Sequence, residues 1–136
     1  ILMRLEEAVL EQPGPVLLAA HSLGCQLVAA WSEHSAHRQR VAAALLVAPP
    51  DTERADMPPQ LSSWRRIART PLPFPALVLF SSDDPFCSPE RAQAMAADWQ
   101  VPAHCEGALG HLNADSGLGD WAEGVAAVRR LSEGPP

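Results

Sequence analysis

The stretch Val16-Leu17-Leu18-Ala19-Ala20-His21-Ser22-Leu23-Gly24-Cys25 decides the fold. Its first five residues are continuously apolar and follow the break Pro13-Gly14-Pro15, the pattern of a short strand buried on both faces. Leu23 to Glu33 reads as a helix. Between the two, the small residues Ala20 and Gly24 flank His21-Ser22, so strand passes into helix with no intervening loop. Such a turn leaves little room for side chains two residues either side of its apex. It also sets Ser22 at the carboxyl end of a strand, where open α/β sheets bind ligands. A blander role for Ser22 is that of an ordinary N-cap, a position serine favours.

Working outward, the same alternation recurs. Ile1 to Glu11 carries Leu2, Leu5 and Val9 at helical spacing, with Glu6, Glu7 and Glu11 between them. Val41 to Ala48 is a second buried-strand pattern ending at Pro49-Pro50, and Ala76 to Phe80 is a third. The polar, Pro-rich connection 51–75 holds one short helical stretch, Gln60 to Ala68, with Leu61, Trp64 and Ile67 on one face. Pro89 to Trp99 is expected to be a helix, with Ser88 as N-cap and Pro89 in its first turn. Ala103 to Glu106 supplies a fourth strand and Gly119 to Leu131 a last helix. Strands alternating with helices imply a mainly parallel sheet with helices on both faces, a three-layer α/β/α fold. At 136 residues, the chain is expected to be one domain over 1–136.

Composition removes several classes of function. Apolar residues make up 47% of the chain, enough for a packed core. The net charge is −6, and the short basic runs Arg65-Arg66 and Arg129-Arg130 form no stripe, so a nucleic-acid partner is not expected. No apolar run approaches the ~18–20 residues a membrane span requires. Cys25, Cys87 and Cys105 are odd in number and widely spaced, with no C-x-x-C pair. Neither a disulfide framework nor a metal site is signalled, and reduced thiols suit a cytoplasmic protein.

Three segments carry the chemistry: Ala20-His21-Ser22-Leu23-Gly24, Ser81-Ser82-Asp83-Asp84-Pro85 and Gly110-His111-Leu112-Asn113. Each follows a separate strand at its carboxyl end. A serine hydroxyl needs a base at neutral pH. Of the five histidines, His34 and His37 sit in a polar helix end, His104 falls inside a strand, and His21 is expected to point away from the adjacent Ser22. His111, in a Gly-flanked loop, is left as the base. Asp83 or Asp84 is available to orient its imidazole, and the residues themselves do not choose between them. The chain order Ser, Asp, His is that of α/β-hydrolases and differs from that of other serine hydrolases.

These segments, together with the long run Gly110-His111-Leu112-Asn113-Ala114-Asp115-Ser116-Gly117-Leu118-Gly119-Asp120-Trp121, resemble the small α/β-hydrolases related to retinoblastoma-binding protein 9 and the bacterial YdeN-type proteins. The resemblance covers almost the whole chain. It implies a serine hydrolase acting on small-molecule esters or amides, with no metal and no organic cofactor. It places the nucleophile on Ser22, the base on His111 and the acid on Asp84, with an oxyanion-hole donor at the backbone N–H of Leu23. Two departures accompany it. Ala20 stands where the family has Gly, and the chain opens on a helix where members have a preceding strand and loop of roughly 30 residues. An N-terminally incomplete fold lacking its first strand is therefore expected, along with the oxyanion donor that the preceding loop supplies, an interaction worth about 2.7–4 kcal/mol of transition-state stabilisation. Trp64 is a candidate substrate-lining residue. The competing class is a non-catalytic module on the same fold that holds a protein partner through the Pro-rich segment 49–75.

Overall fold

The structure, a computed structural model, describes residues 2–112. In chain order these form α1 (Leu2–Glu11), β1 (Val16–His21), α2 (Leu23–His34), β2 (Val41–Val47), β3 (Ala76–Phe80), α3 (Pro89–Trp99) and β4 (Ala103–Cys105). Short 3-10 turns occupy Arg38–Arg40 and Pro59–Trp64. The strands lie side by side as β1-β2-β3-β4, and every neighbouring pair is parallel. Parallel pairing demands crossovers, which α2, residues 48–75 and α3 supply in turn. All four strands therefore end at one edge of the sheet.

Side-chain alternation sorts the sheet into two faces. Ala44 and Leu46 on β2, with Ala76, Val78 and Phe80 on β3, join the main core. That core also takes Val9 from α1, Cys25, Val28, Ala29 and Trp31 from α2, and Ala92, Met95, Ala96 and Trp99 from α3. Leu45 and Val47 on β2 and Leu79 on β3 look the other way and pack with Leu112, with Leu77 and Leu109 at the margin. Among the described residues, then, all three α-helices cover one face, and the second is packed by the segment that carries His111. The helix expected over Gly119–Leu131 lies outside the described residues.

Three local expectations are revised. The described residues do not cover β1 on both faces, and Leu17 is 44% exposed. β2 stops at Val47, because Ala48 adopts a left-handed φ of 54° while its N–H bonds to the Leu79 carbonyl at 2.8 Å. The helix expected over Gln60–Ala68 is a 3-10 turn over Pro59–Trp64, broken at Leu61. The reason is competition for backbone donors, since Ile67 N–H goes to Glu53 Oε2 (3.0 Å) and is lost to any continuing helix. Pro89–Trp99 forms as expected, with the Ser88 hydroxyl accepting from Arg91 N–H.

Polar ties hold the long crossover 48–75 against the helices. Glu53 accepts from Arg69 Nη1 and Nη2, and its carboxyl is held below the usual range, first by that pairing and further by the Ile67 N–H. Gln26 Nε2 donates to the Pro50 carbonyl (2.9 Å), Trp99 Nε1 to the Ala68 carbonyl (2.7 Å), and Thr70 Oγ1 to Glu33 (2.7 Å). At the other end, Glu6 on α1 accepts from Ser35 Oγ and Trp31 Nε1 near α2, and the Ser35 hydroxyl is the main reason its carboxyl is lowered.

Leu46 is fully buried in the middle of the sheet. Leu46→Ala is expected to lower unfolding free energy by about 2–5 kcal/mol, through lost transfer energy and the cavity left behind. Urea denaturation of the two proteins measures this directly.

Candidate active site

β1 ends at His21, α2 begins at Leu23, and Ser22 makes the whole turn between them. Its backbone sits at φ 59°, ψ −126°, a region that costs a non-glycine residue about 1–3 kcal/mol. Two bonds hold it there. Ser22 N–H donates to the Val47 carbonyl at the end of β2 (2.9 Å), and the Ser22 carbonyl accepts from Cys25 N–H (2.9 Å). Ser22 occupies the N-cap position, yet its hydroxyl makes no capping bond. The hydroxyl is directed elsewhere, which separates this serine from an ordinary cap. Leu23, the first helical residue, carries an N–H with no acceptor within its own helix. Alanine at position 20 is accommodated: a methyl built on Gly24 would meet the Ala20 methyl at 3.5 Å, an ordinary contact.

His111 reaches the Ser22 hydroxyl from the loop after β4, with Nε2 2.8 Å from Oγ. Its Nδ1 lies 2.9 Å from Asp84 Oδ2. An ionised Asp84 accepts only, so Nδ1 carries the proton and Nε2 is left bare to accept from the serine. Asp84 also accepts from Phe86 N–H through Oδ1 (2.9 Å). The Asp84 side chain is 2% exposed and that of His111 11%, so this pair is shielded from water. Asp83 faces the other way. Its Oδ1 accepts from Gly110 N–H (2.8 Å) and Ser81 Oγ (2.8 Å), and these two bonds, the amide first, hold its carboxyl below the usual range. The adjacent acids thus divide the work, Asp84 on the imidazole and Asp83 on the backbone of the loop that carries it.

Other groups close around the imidazole. The Phe86 ring stands edge-on to His111 with centroids 4.7 Å apart, and the Arg54 guanidinium lies 5.4 Å from the Phe86 ring centre. Read from the sequence, His21 turns away from Ser22 and has no part here. In the structure its ring lies 4.8 Å from that of His111, and its Nε2 is 2.8 Å from the His111 carbonyl oxygen. Alternation along β1 puts His21 on the same sheet face as Leu17 and Ala19, beside Val47, and the segment that carries His111 packs on that face. Phe86, Arg54 and His21 are not singled out by the sequence, since each meets the site through a partner distant in the chain. Trp64 ends the 3-10 turn, half-buried, and among the described residues no ring contact or hydrogen bond joins it to Ser22 or His111. Cys25 is buried beneath the turn with its thiol pushed up by desolvation, and burial likewise raises Cys87 to about 12; Cys105 is exposed. Among the described residues, no group of three His, Cys, Asp or Glu side chains converges to hold a metal ion. No helix there is long and apolar enough to cross a membrane.

The family model for serine hydrolases matches residues 2–130, and the chain belongs to that family. No curated protein matches the sequence. Among solved structures, the chain is similar to one described as a YdeN-like hydrolase from Pectobacterium atrosepticum, at 29% identity and a TM-score of 0.82, over 97% of this chain and 67% of that one. It is similar to an α/β-superfamily hydrolase from Xanthomonas campestris pv. campestris, at 25% identity and a TM-score of 0.59, over 97% of this chain and 65% of that one. The esterase domain of a Rhodothermus marinus protein, at 20% identity and a TM-score of 0.67, shares the fold over 95% of this chain and 68% of its own. The chain spans about two thirds of the length of these proteins. Its sheet is that of an α/β-hydrolase.

Two measurements check this geometry. Gly24→Ala is expected to fold with a stability within about 1 kcal/mol of the parent, because the added methyl meets only an ordinary contact and alanine favours helix; thermal denaturation reads it. For Asp83, the folded carboxyl titrates lower than the unfolded one. Its stabilising contribution is therefore full above the unfolded carboxylate range and is lost as pH falls through the folded value. Asp83→Asn is expected to lower stability at neutral pH and to flatten its decline on acidification, seen by comparing denaturation midpoints from neutral pH to about pH 3, just below the ordinary Asp value.

Proposed function

We propose that this serine hydrolase cleaves carboxylic esters or small amides through an acyl-enzyme on Ser22, with the chain 1–136 acting as one hydrolase domain. The observation that carries the reading is the continuous chain Ser22 Oγ, His111 Nε2, His111 Nδ1, Asp84 Oδ2, with links of 2.8 and 2.9 Å. A serine held in a costly backbone conformation, with its hydroxyl turned from its own helix to an imidazole, is arranged as a nucleophile.

The steps follow from the protonation states. Ser22 Oγ attacks the acyl carbonyl carbon while His111 Nε2 takes the hydroxyl proton. Asp84 keeps the other ring proton on Nδ1 and stabilises the imidazolium that forms. The carbonyl oxygen becomes an oxyanion and accepts from the Leu23 N–H. His111 then gives its Nε2 proton to the leaving alkoxide or amine, the C–O or C–N bond breaks, and the acyl group remains on Ser22. Water attacks the ester as His111 takes its proton; collapse releases the carboxylic acid and returns the proton to Ser22. Every proton is shuttled by His111, and the sequence needs no redox partner.

The esterase domain with a shared fold supports an ester substrate by analogy alone. The three free thiols support a reducing compartment, and we place the protein in the cytoplasm. Residues 48–75, which leave the carboxyl end of β2 and are tied to α2 there by the Gln26–Pro50 bond, are proposed as one wall of the substrate site, with Trp64 on it.

Ser22→Ala is expected to abolish hydrolysis of activated aryl esters while leaving the melting temperature near the parent's. Asp84→Asn is expected to lower kcat by about 10⁴-fold, as loss of the correct imidazole tautomer does elsewhere. Asp83→Asn is expected to cost far less. Turnover by Ser22→Ala at the parent rate would contradict the nucleophile, and equal losses at the two aspartates would contradict the acid.

A further inference from the structure

His21 touches the site at a place the hydrolytic sequence does not use. It is the last residue of β1, paired with Val47 and directly bonded to Ser22, so the strand fixes its backbone as firmly as the nucleophile's. Its Nε2 lies 2.8 Å from the carbonyl oxygen of His111. A carbonyl only accepts, so Nε2 of His21 carries a proton and donates it.

That carbonyl belongs to the peptide between His111 and Leu112. At its other end, the Leu112 N–H donates to the Leu109 carbonyl at 3.3 Å. Leu112 follows with a left-handed φ of 54°, a conformation that costs an L-residue roughly 1–2 kcal/mol. Its side chain is buried against Leu45, Val47, Ala48 and Leu79, so the side chain cannot move to relieve the backbone. A flip of the 111–112 peptide would relieve it. The His21 N–H holds the carbonyl against that flip, and the two imidazole rings, 4.8 Å apart, leave little space for the loop to re-form elsewhere.

We infer that His21 is a positioning residue for the base, holding the His111 peptide so that Nε2 meets Ser22 Oγ and Nδ1 meets Asp84 together; the inference rests on the proposed acyl-enzyme reading. Through His21, the segment that carries the nucleophile also sets the segment that carries the base. His21 touches no reacting atom, and its effect falls on kcat while substrate binding is left alone.

The test uses two variants of the whole chain. His21→Phe keeps a ring against His111 and removes the N–H; His21→Gln removes the ring and places an amide N–H near the position of Nε2. With p-nitrophenyl acetate as probe, H21F is expected to lower kcat about 10- to 100-fold, the range of a misplaced catalytic group, with KM within about twofold of the parent. H21Q is expected to recover most of the rate. The downfield proton resonance of His111 Nδ1–H, shared with Asp84, gives a readout independent of turnover: it is expected to weaken by faster exchange in H21F and to return in H21Q. Parent-like kcat and an unchanged resonance in H21F would overturn the inference and leave the hydrolase reading intact. H21Q as impaired as H21F in a folded protein would also overturn it, since packing would then be the only role. A parent that turns over no ester overturns the hydrolase reading, and the His111 resonance in the two variants still decides what His21 does.

Discussion

The bond from Ser22 N–H to the Val47 carbonyl closes the β1–β2 ladder one residue beyond the end of β1. It holds Ser22 in a backbone conformation that serine does not adopt freely. If that bond were lost, α2 would start from a relaxed turn and the hydroxyl would fall back on the helix as a cap. With it, the turn points the hydroxyl over the sheet edge. The register of two buried parallel strands is thereby converted into the direction of one side chain. The cost of the turn is met by the core beneath it, where Cys25, Val28 and Ala29 of α2 pack against Ala44 and Leu46.

The same edge collects the other groups because every strand runs the same way. β3 delivers the two aspartates, and the loop after β4 delivers His111. Neither segment is left to the sheet alone. Asp83 and Ser81 bind the backbone of residues 109 and 110, Leu109 and Leu112 pack on the second sheet face, and His21 holds the carbonyl between. The imidazole is therefore fixed from its backbone and from its ring, as the proposed role of base across 2.8 Å requires.

The sequence made β2 and β3 legible because buried parallel strands are continuous apolar runs, and α3 legible because Ser88-Pro89 is a start signal. It overstated the cover on β1, whose apolar run does not say what lies on each face, and misjudged the stretch 60–68, where a distant carboxylate at Glu53 takes the Ile67 N–H from the helix. The three segments of the site could be read from residue types and strand ends. The division between Asp83 and Asp84 could not, because it depends on the Gly110 N–H, 27 residues away. His21 was missed for a related reason: strand alternation puts it on the face that the His111 segment covers, and that partner is 90 residues away.

The most direct measurement is reaction of the native chain with a fluorophosphonate, followed by peptide mass mapping. Covalent modification of Ser22 alone, absent when the chain is unfolded in urea, is the result this account predicts. A native chain left unmodified, or modified at another residue with Ser22 untouched, would contradict it.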